Sequence, residues 1–319
     1  MSPRMRFIAR RLLLAIPVLL AMSIFVFLMI RLVPGDPVRT MLGFRATPEN
    51  VAEVEQALGL DRPLVSQYVT WIGGVVHGDL GTDFISHTPL STLLAQRLPV
   101  TLELTFLSML LALLIGLPLG VLAASRPGWI RRATEGFVIF GIAIPDFWLG
   151  IMLVLVFAGL TQVLPPSGYV ALLEDPLRNL RFMVLPVLTL AIGEAAYIAR
   201  TTRGAMEETL SSPSILFVRA RGIPERSLVF RHALRNASVP IATVVGIQCG
   251  VLLGGAIVIE TLFALPGIGR LIVTSINQRN YLIVQGGVLL VAGMFVVINL
   301  VTDLVVGWLD PKLGEEGQT

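Results

Sequence analysis

Side chains able to do chemistry are few in this sequence, and their spacing does not suit catalysis. The three histidines, His77, His87 and His232, are scattered, with no i, i+4 pair to hold zinc on one helix face. The single thiol, Cys249, has no second cysteine for a disulfide or a thiolate metal site. The only lysine is Lys312, near the C-terminus. A phosphate-cradling G-x-x-x-x-G-K-[ST] loop needs a lysine within it, so ATP hydrolysis by that route is excluded. No nucleophile with its base and no metal cluster is found, and the chain is read as not an enzyme. Two groups of residues remain. Asp146 and Glu194 are carboxyls in strongly apolar surroundings, suited to attract a cation or to sit protonated and hydrogen-bonded. Arg219, Arg221, Arg226, Arg231 and Arg235, interleaved with Leu228, Val229, Phe230 and Leu234, could grip an acidic partner.

The elements that must position these residues are membrane helices. Hydrophobic residues make up 55% of the 319, charged residues only 14% against about 25% in soluble proteins, and mean hydropathy is +0.81. A single soluble domain has too few core positions to hide that much apolar surface. No charge occurs from Leu12 to Ile30, Leu104 to Ser125, Phe147 to Leu173, Asn236 to Ile259 or Asn280 to Thr302. Each window approaches the ~20 residues that cross a ~30 Å hydrocarbon core. A sixth, Phe182 to Ala199, is interrupted only by Glu194. Strand-type alternation is absent, which excludes a β-barrel. The expected architecture is all-α and polytopic, with six transmembrane helices, the first retained rather than cleaved as a signal peptide.

Basic residues resist translocation and so set the orientation. Arg4, Arg6, Arg10 and Arg11 precede the first helix and place the N-terminus in the cytoplasm. Six crossings then put Arg126–Thr134, Arg200–Asn236 and the C-terminal tail inside as well. Together with the N-terminus, these segments hold 15 of the 24 basic residues. The outside segments are Val33–Val100, a loop near Leu164–Arg181 and one near Phe263–Arg279.

On this layout Asp146 falls about eleven residues into the third helix and Glu194 about twelve into the fourth, each near the midplane. An ionised group there costs roughly 2.5–3.5 kcal/mol, so each should face the bundle interior or water. Both readings stay open: a neutral structural carboxyl, or a negative lining of an aqueous path that attracts an ammonium group. Glu103, Glu260 and Asp303 are expected to be interfacial anchors. The loop from Thr201 to Ile241 is broken at Pro213 and at Gly222-Ile-Pro224. Gly222 permits positive φ and Pro224 fits the first turn of a helix, so two short helices joined by a glycine turn are expected. The apolar outer stretch Leu262, Phe263, Leu265, Pro266, Gly267, Arg270 is expected to be a re-entrant external gate, with an amphipathic cap as the other reading. Val33–Val100 should pack on the external mouth of the bundle. Gly116, Gly120, Gly246, Gly250, Gly254, Gly286 and Gly287 are expected at close helix contacts.

The run RARGIPERSLVFRHALRNASVP, Arg219 to Pro240, resembles the cytoplasmic loop of binding-protein-dependent ABC importer permeases, closest to the B type of the dipeptide, oligopeptide and nickel branch. The resemblance extends along most of the chain: RRLLLAIPVLL at the start, RLVPGDPV at Arg31–Val38, LGLDRPLVSQY at Leu58–Tyr68, GDLGTDF at Gly78–Phe84 and RLPVTLEL at Arg97–Leu104. It continues through IPDFWLG at Ile144–Gly150, ETLFALPGIGRLI at Glu260–Ile272, NYLIVQGGVLLVA at Asn280–Ala292 and LDPKL at Leu309–Leu313. One departure is Pro213, Ser214, Leu216, Phe217 and Val218, where the family has an acidic-aromatic pair and small residues.

The resemblance implies a type I ABC importer permease fold in the bacterial cytoplasmic (inner) membrane, both termini cytoplasmic. It implies residues 1–32 as N-terminus and first helix, 33–99 as an extracytoplasmic region, 100–309 as a five-helix core with a coupling loop at 200–236, and 310–319 as a tail. Implied partners are a second homologous permease, two ABC ATPases that bind the ATP and magnesium, and an extracytoplasmic substrate-binding protein. This chain itself would hold no cofactor and no metal. Coupling contacts would come from Arg219, Ala220, Arg221, Gly222, Glu225, Arg226, His232 and Arg235. The implied substrates are di- or oligopeptides, although nickel chelates and glutathione also use relatives of this permease.

Overall fold

The computed structural model describes residues 3–31, 38–39, 46–57, 62–83, 86–126 and 128–309. The expected tail at 310–319 and the PGDP motif lie outside these residues. Among the described residues the backbone is helical except for connecting turns and one isolated bridge between Thr82 and Pro89. The helices are α1 (Pro3–Arg31), α2 (Pro48–Ala57), α3 (Leu64–Val76), α4 (Leu90–Ser125), α5 (Trp129–Ala143) and α6 (Asp146–Leu160). They continue with α7 (Pro176–Leu210), α8 (Pro213–Ala220), α9 (Glu225–Leu262), α10 (Ile268–Asn277) and α11 (Tyr281–Leu309).

Helices α1, α4, α7, α9 and α11 are each long and apolar enough to cross a membrane, and α5 with α6 makes the sixth crossing if the pair is one broken span. The break corrects the sequence reading. Between α5 and α6 the chain bends by 99° at Ile144-Pro145. Proline disfavours helical backbone in the residue before it, and Ile144 is extended, at φ −89° and ψ 125°. Asp146 is therefore the first residue of α6 rather than a mid-helix group. The charge-free window Phe147–Leu173 is also not one helix. It leaves the helix at Leu160 through a π-turn, and Pro165, Pro166 and Gly168 carry the chain away.

The chain divides into two compact units, with the boundary falling inside α1, α4 and α11. The first is built on Leu102–Leu265, with the described residues up to Arg11 and from Val297 onward. Its centre is α7, the most enclosed of the long helices, which packs against α5, α6 and α9. Asp175 caps α7 by accepting from the Arg178 amide at 3.0 Å, and Pro176 fills the first helical position. Gly116 and Gly120 let α4 close on α7. A Cβ at Gly116 would stand 2.5 Å from the Ala195 carbonyl oxygen, and one at Gly120 would stand 2.5 Å from Thr202 Cβ. Gly246 makes a similar seat for Thr302. Gly254, expected at such a contact, has nothing within 4 Å of its Cβ position. At one end of this unit Glu135 pairs with both Arg131 and Arg203, and Arg131 reaches Glu207 at 3.5 Å, tying α5 to α7. Asp303, expected to be an anchor, pairs with Arg11 at 2.9 Å.

The second unit holds the described residues of Leu12–Thr101 and Pro266–Val296. Ile268 and Ile272 of α10 and Val284 of α11 form its small core, bordered by Met29 and Leu98. Asp83, buried, accepts from the Ser86 amide and hydroxyl and from the Asn280 side chain, tying the loop before α4 to the start of α11.

Candidate functional site

The arginine-rich loop folds as the glycine spacing requires. Pro213 opens α8, which ends at Ala220. Gly222 then adopts φ +78°, with its amide donating to the Arg219 carbonyl at 3.0 Å. No atom lies within 4 Å of its Cβ position, so only backbone conformation demands glycine there. Pro224 is extended, and its carbonyl accepts from the Ser227 and Leu228 amides as α9 begins. Arg219 donates to Glu225 at 2.9 Å across the turn, and the Arg221 guanidinium lies over the Phe217 ring at 5.9 Å.

This helix–turn–helix is fixed to its unit by apolar burial. Leu228 and Val229 are buried, and Val229, Ala233, Ala237 and Ile241 cluster with Met206 of α7 and Val121 of α4. The stretch Leu228–Ala233 has π-helical hydrogen bonding. Phe230, unlike Leu228 and Val229, is 55% exposed. It lines a shallow recess with Pro224, Arg226, Ser227 and Arg231. Ala220, Arg221, Gly222, Glu225, Arg226 and Arg235 are exposed and His232 is half-buried. The exposed face is thus both basic and apolar, with Leu216, Phe217 and Phe230 among the arginines. Arg219, expected to meet a partner's acid, already has one in Glu225.

The two membrane carboxyls come together on α6 and α7. Asp146 packs over the backbone of the residue preceding Glu194: a Cβ at Gly193 would lie 3.1 Å from its Oδ1. Gly255 of α9 offers a second bare seat, 4.0 Å from Oδ2. Glu194 is 7% exposed and accepts from Gln248 Nε2 of α9 at 2.7 Å. A search for charges passes over Gln248, a neutral amide. Its signal was a long polar side chain inside the window Asn236–Ile259. The bend at Pro145 is what turns Asp146 toward these groups.

The segment Leu262–Arg270 falls across the division between the units. In the first unit Phe263 and Leu265 are buried, Leu262 presses on Gly150, and the Phe263 carbonyl accepts from the Gly168 amide at 3.2 Å. Nearby, the Tyr169 hydroxyl donates to Glu103 at 2.8 Å. Burial, and then the adjacent carboxylate, hold that hydroxyl protonated well above its ordinary range. In the second unit Arg97 reaches the Pro266 carbonyl, and the Ile268 amide donates to Thr101 Oγ1 at 2.9 Å as α10 begins. Arg270 lies in the first turn of α10. Only the turn before α10 is irregular. The rest is an amphipathic helix with Ile268, Gly269, Ile272 and Ser275 buried.

Comparison with known proteins agrees with this architecture. Residues 116–315 match the family described as binding-protein-dependent transport system inner membrane component, and residues 4–105 match its N-terminal counterpart. A probable peptide ABC transporter permease protein of Sinorhizobium fredii is 40% identical over 308 residues, covering 96% of this chain and 98% of the relative. The dipeptide transport system permease protein of Escherichia coli K12 is 38% identical, covering 97% and 98%. Among solved structures, the inward-facing MetNI methionine ABC transporter aligns with a TM-score of 0.53 at 22% identity, over 68% of this chain and 96% of that one. An amino acid ABC transporter crystallised with histidines aligns at 0.52 and 19% identity, over 73% and 99%. The fold is that of a type I ABC importer permease. With both matches spanning nearly all its length, the chain belongs to the family of binding-protein-dependent transport system inner membrane components.

Proposed function

We propose that this chain forms half of the translocation pathway of a peptide importer and couples it to ATP hydrolysis by separate subunits. Its substrates are di- or oligopeptides, the class carried in the names of its relatives. A second homologous permease completes the pathway, two ABC ATPases dock on the cytoplasmic face, and an extracytoplasmic binding protein delivers the substrate. ATP and magnesium belong to the ATPases. Both termini are cytoplasmic, following Arg4, Arg6, Arg10 and Arg11 at the N-terminal end of α1, ahead of its charge-free stretch.

The observation that carries this reading is the exposed helix–turn–helix at Pro213–Arg235. An element that transmits force between subunits must be compact, anchored at its base and sticky at its tip. Here the base is the cluster around Met206 and Val229, and the tip presents Phe217, Phe230, Arg226 and Arg231. Arginines on such a face orient a partner more than they add affinity, because rim charges are screened. Closure of the ATPases on ATP would move this element and, through α7 and α9, the groups around Glu194. The carboxyls of Asp146 and Glu194 line the path and favour the ammonium end of a peptide. Affinity purification of the chain from its native membrane tests the assignment. ATPase subunits should copurify with it, and their absence under conditions that retain a second permease would contradict it.

A further inference from the structure

Helix α3 presents three distinct faces, although a helix bordered only by protein and water needs two. Gln67, Tyr68, Trp71 and Val75 form the face turned to the protein, with Gln67 buried and the other three half-buried. Val65, Val69 and Val76 are 75%, 59% and 77% exposed and, with half-buried Ile72, follow the i, i+4, i+7, i+11 spacing of one helical stripe. Ser66, Thr70 and Gly73 make the third face, small and polar, and both Ser66 and Thr70 are exposed. Arg62 and His77 flank the helix and are exposed too.

The position of α3 beside α1 says what borders the valine stripe. Tyr68 and Trp71 pack on Phe27, with ring centroids 5.2 and 5.8 Å away. Ser23 Oγ donates to the Leu20 carbonyl at 2.8 Å, so the Tyr68 hydroxyl donates to Ser23 at 2.7 Å. Both contact residues lie inside the charge-free stretch Leu12–Ile30 that crosses the membrane. At 1.5 Å per residue, Phe27 is about 6 Å and Ser23 about 12 Å below Arg31, the charge that ends the stretch. That end is opposite the arginines in the first turns of α1. On the same turns of α1, Ile24, Phe25 and Leu28 are exposed and apolar, so the valine stripe continues a lipid-facing surface. Thirteen residues span about 20 Å, short of the ~30 Å needed to cross.

We infer that α3 is an interfacial helix, lying along the outer leaflet with Val65, Val69, Ile72 and Val76 among the acyl chains and Ser66 and Thr70 toward the headgroups. Tyr68 and Trp71 sit at the depth where amphipathic aromatic rings concentrate, and Arg62 and His77 reach the polar layer from the ends. The helix would thereby fix the extracytoplasmic segment between α1 and α4 at membrane level. The inference rests on membrane insertion of α1, and its choice of leaflet on the proposed cytoplasmic N-terminus, not on the substrate or the ATPases.

Nitroxide depth measurement tests it. In a Cys249→Ser background, Val69→Cys and Thr70→Cys are spin-labelled one at a time in the full chain with its copurifying subunits. The complexes are placed in nanodiscs of phosphatidylethanolamine and phosphatidylglycerol. Collision rates with oxygen, which partitions into lipid, are compared with those of a water-soluble nickel chelate. The oxygen-to-nickel ratio should be severalfold higher at position 69 than at position 70, and Val76→Cys should repeat the result for Val69→Cys. Equal ratios, with nickel reaching both sites, would overturn the inference in favour of an aqueous face. Shielding of position 69 from both reagents would overturn it in favour of a protein partner or a second copy.

Discussion

Gly222 and the Asp146–Glu194 pair are the residues on which the functional reading turns. With Gly222 at φ +78° and open space around it, a side chain there meets no neighbour, only an unfavourable backbone. A β-branched residue in the left-handed region is disfavoured by about 1–2 kcal/mol, whereas asparagine visits it more readily. Gly222→Val should therefore lower peptide uptake severalfold while Gly222→Asn retains most of it, as measured with equal amounts of assembled complex. Equal uptake by both variants would mean that the turn geometry does not matter for coupling. For the carboxyls, Asp146→Asn combined with Glu194→Gln keeps the shapes and the Gln248 contact but removes any negative charge. Uptake of peptides with a free amino terminus should fall more than uptake of amino-blocked peptides. An equal loss for both would leave these groups a purely structural role beside Gly193 and Gln248.

At the scale of elements, the turn before α10 carries the proposed external gate. Phe263 and Leu265 are buried within their own unit, so single cysteines at these positions in a Cys249→Ser background should resist an aqueous thiol reagent in this conformation. Reactivity should rise when ATP binds to the assembled transporter; unchanged labelling across nucleotide states would make the segment a static cap. The long helices were legible in the sequence because the absence of charge over some 20 residues is a direct consequence of lipid burial. The break at Pro145 was less so. A charge-free run reports solvent, not shape, and it hid both the bend and the departure from helix after Leu160. The glycine turn at Gly222 was legible because few residues other than glycine accept positive φ. Which residues around it face inward was not: Phe230 alternates with the arginines, and only the packing of Val229 and Ala233 on Met206 decides that Phe230 points out. Gln248 went unnoticed because a neutral amide leaves no mark in a pattern of charges. Tyr68, inside one of the family-like motifs, gave no sign that its hydroxyl reaches Ser23.

For the whole molecule, family membership and fold make the chain a membrane component of a transport system, and the proposal adds its energy source and cargo. A pore that runs on ATP without a nucleotide site of its own must receive force from outside. The exposed, anchored helix–turn–helix is the element best built to receive it. A channel or a secondary transporter would leave that element without a task. The most direct test is uptake by proteoliposomes containing the chain with its copurifying subunits. ATP is supplied on the face bearing α8, with binding protein and a labelled dipeptide on the other. Accumulation of the dipeptide against its gradient should require both ATP and the binding protein, and should stop when hydrolysis is blocked with a non-hydrolysable nucleotide. Accumulation that continues at the same rate without ATP would contradict the account.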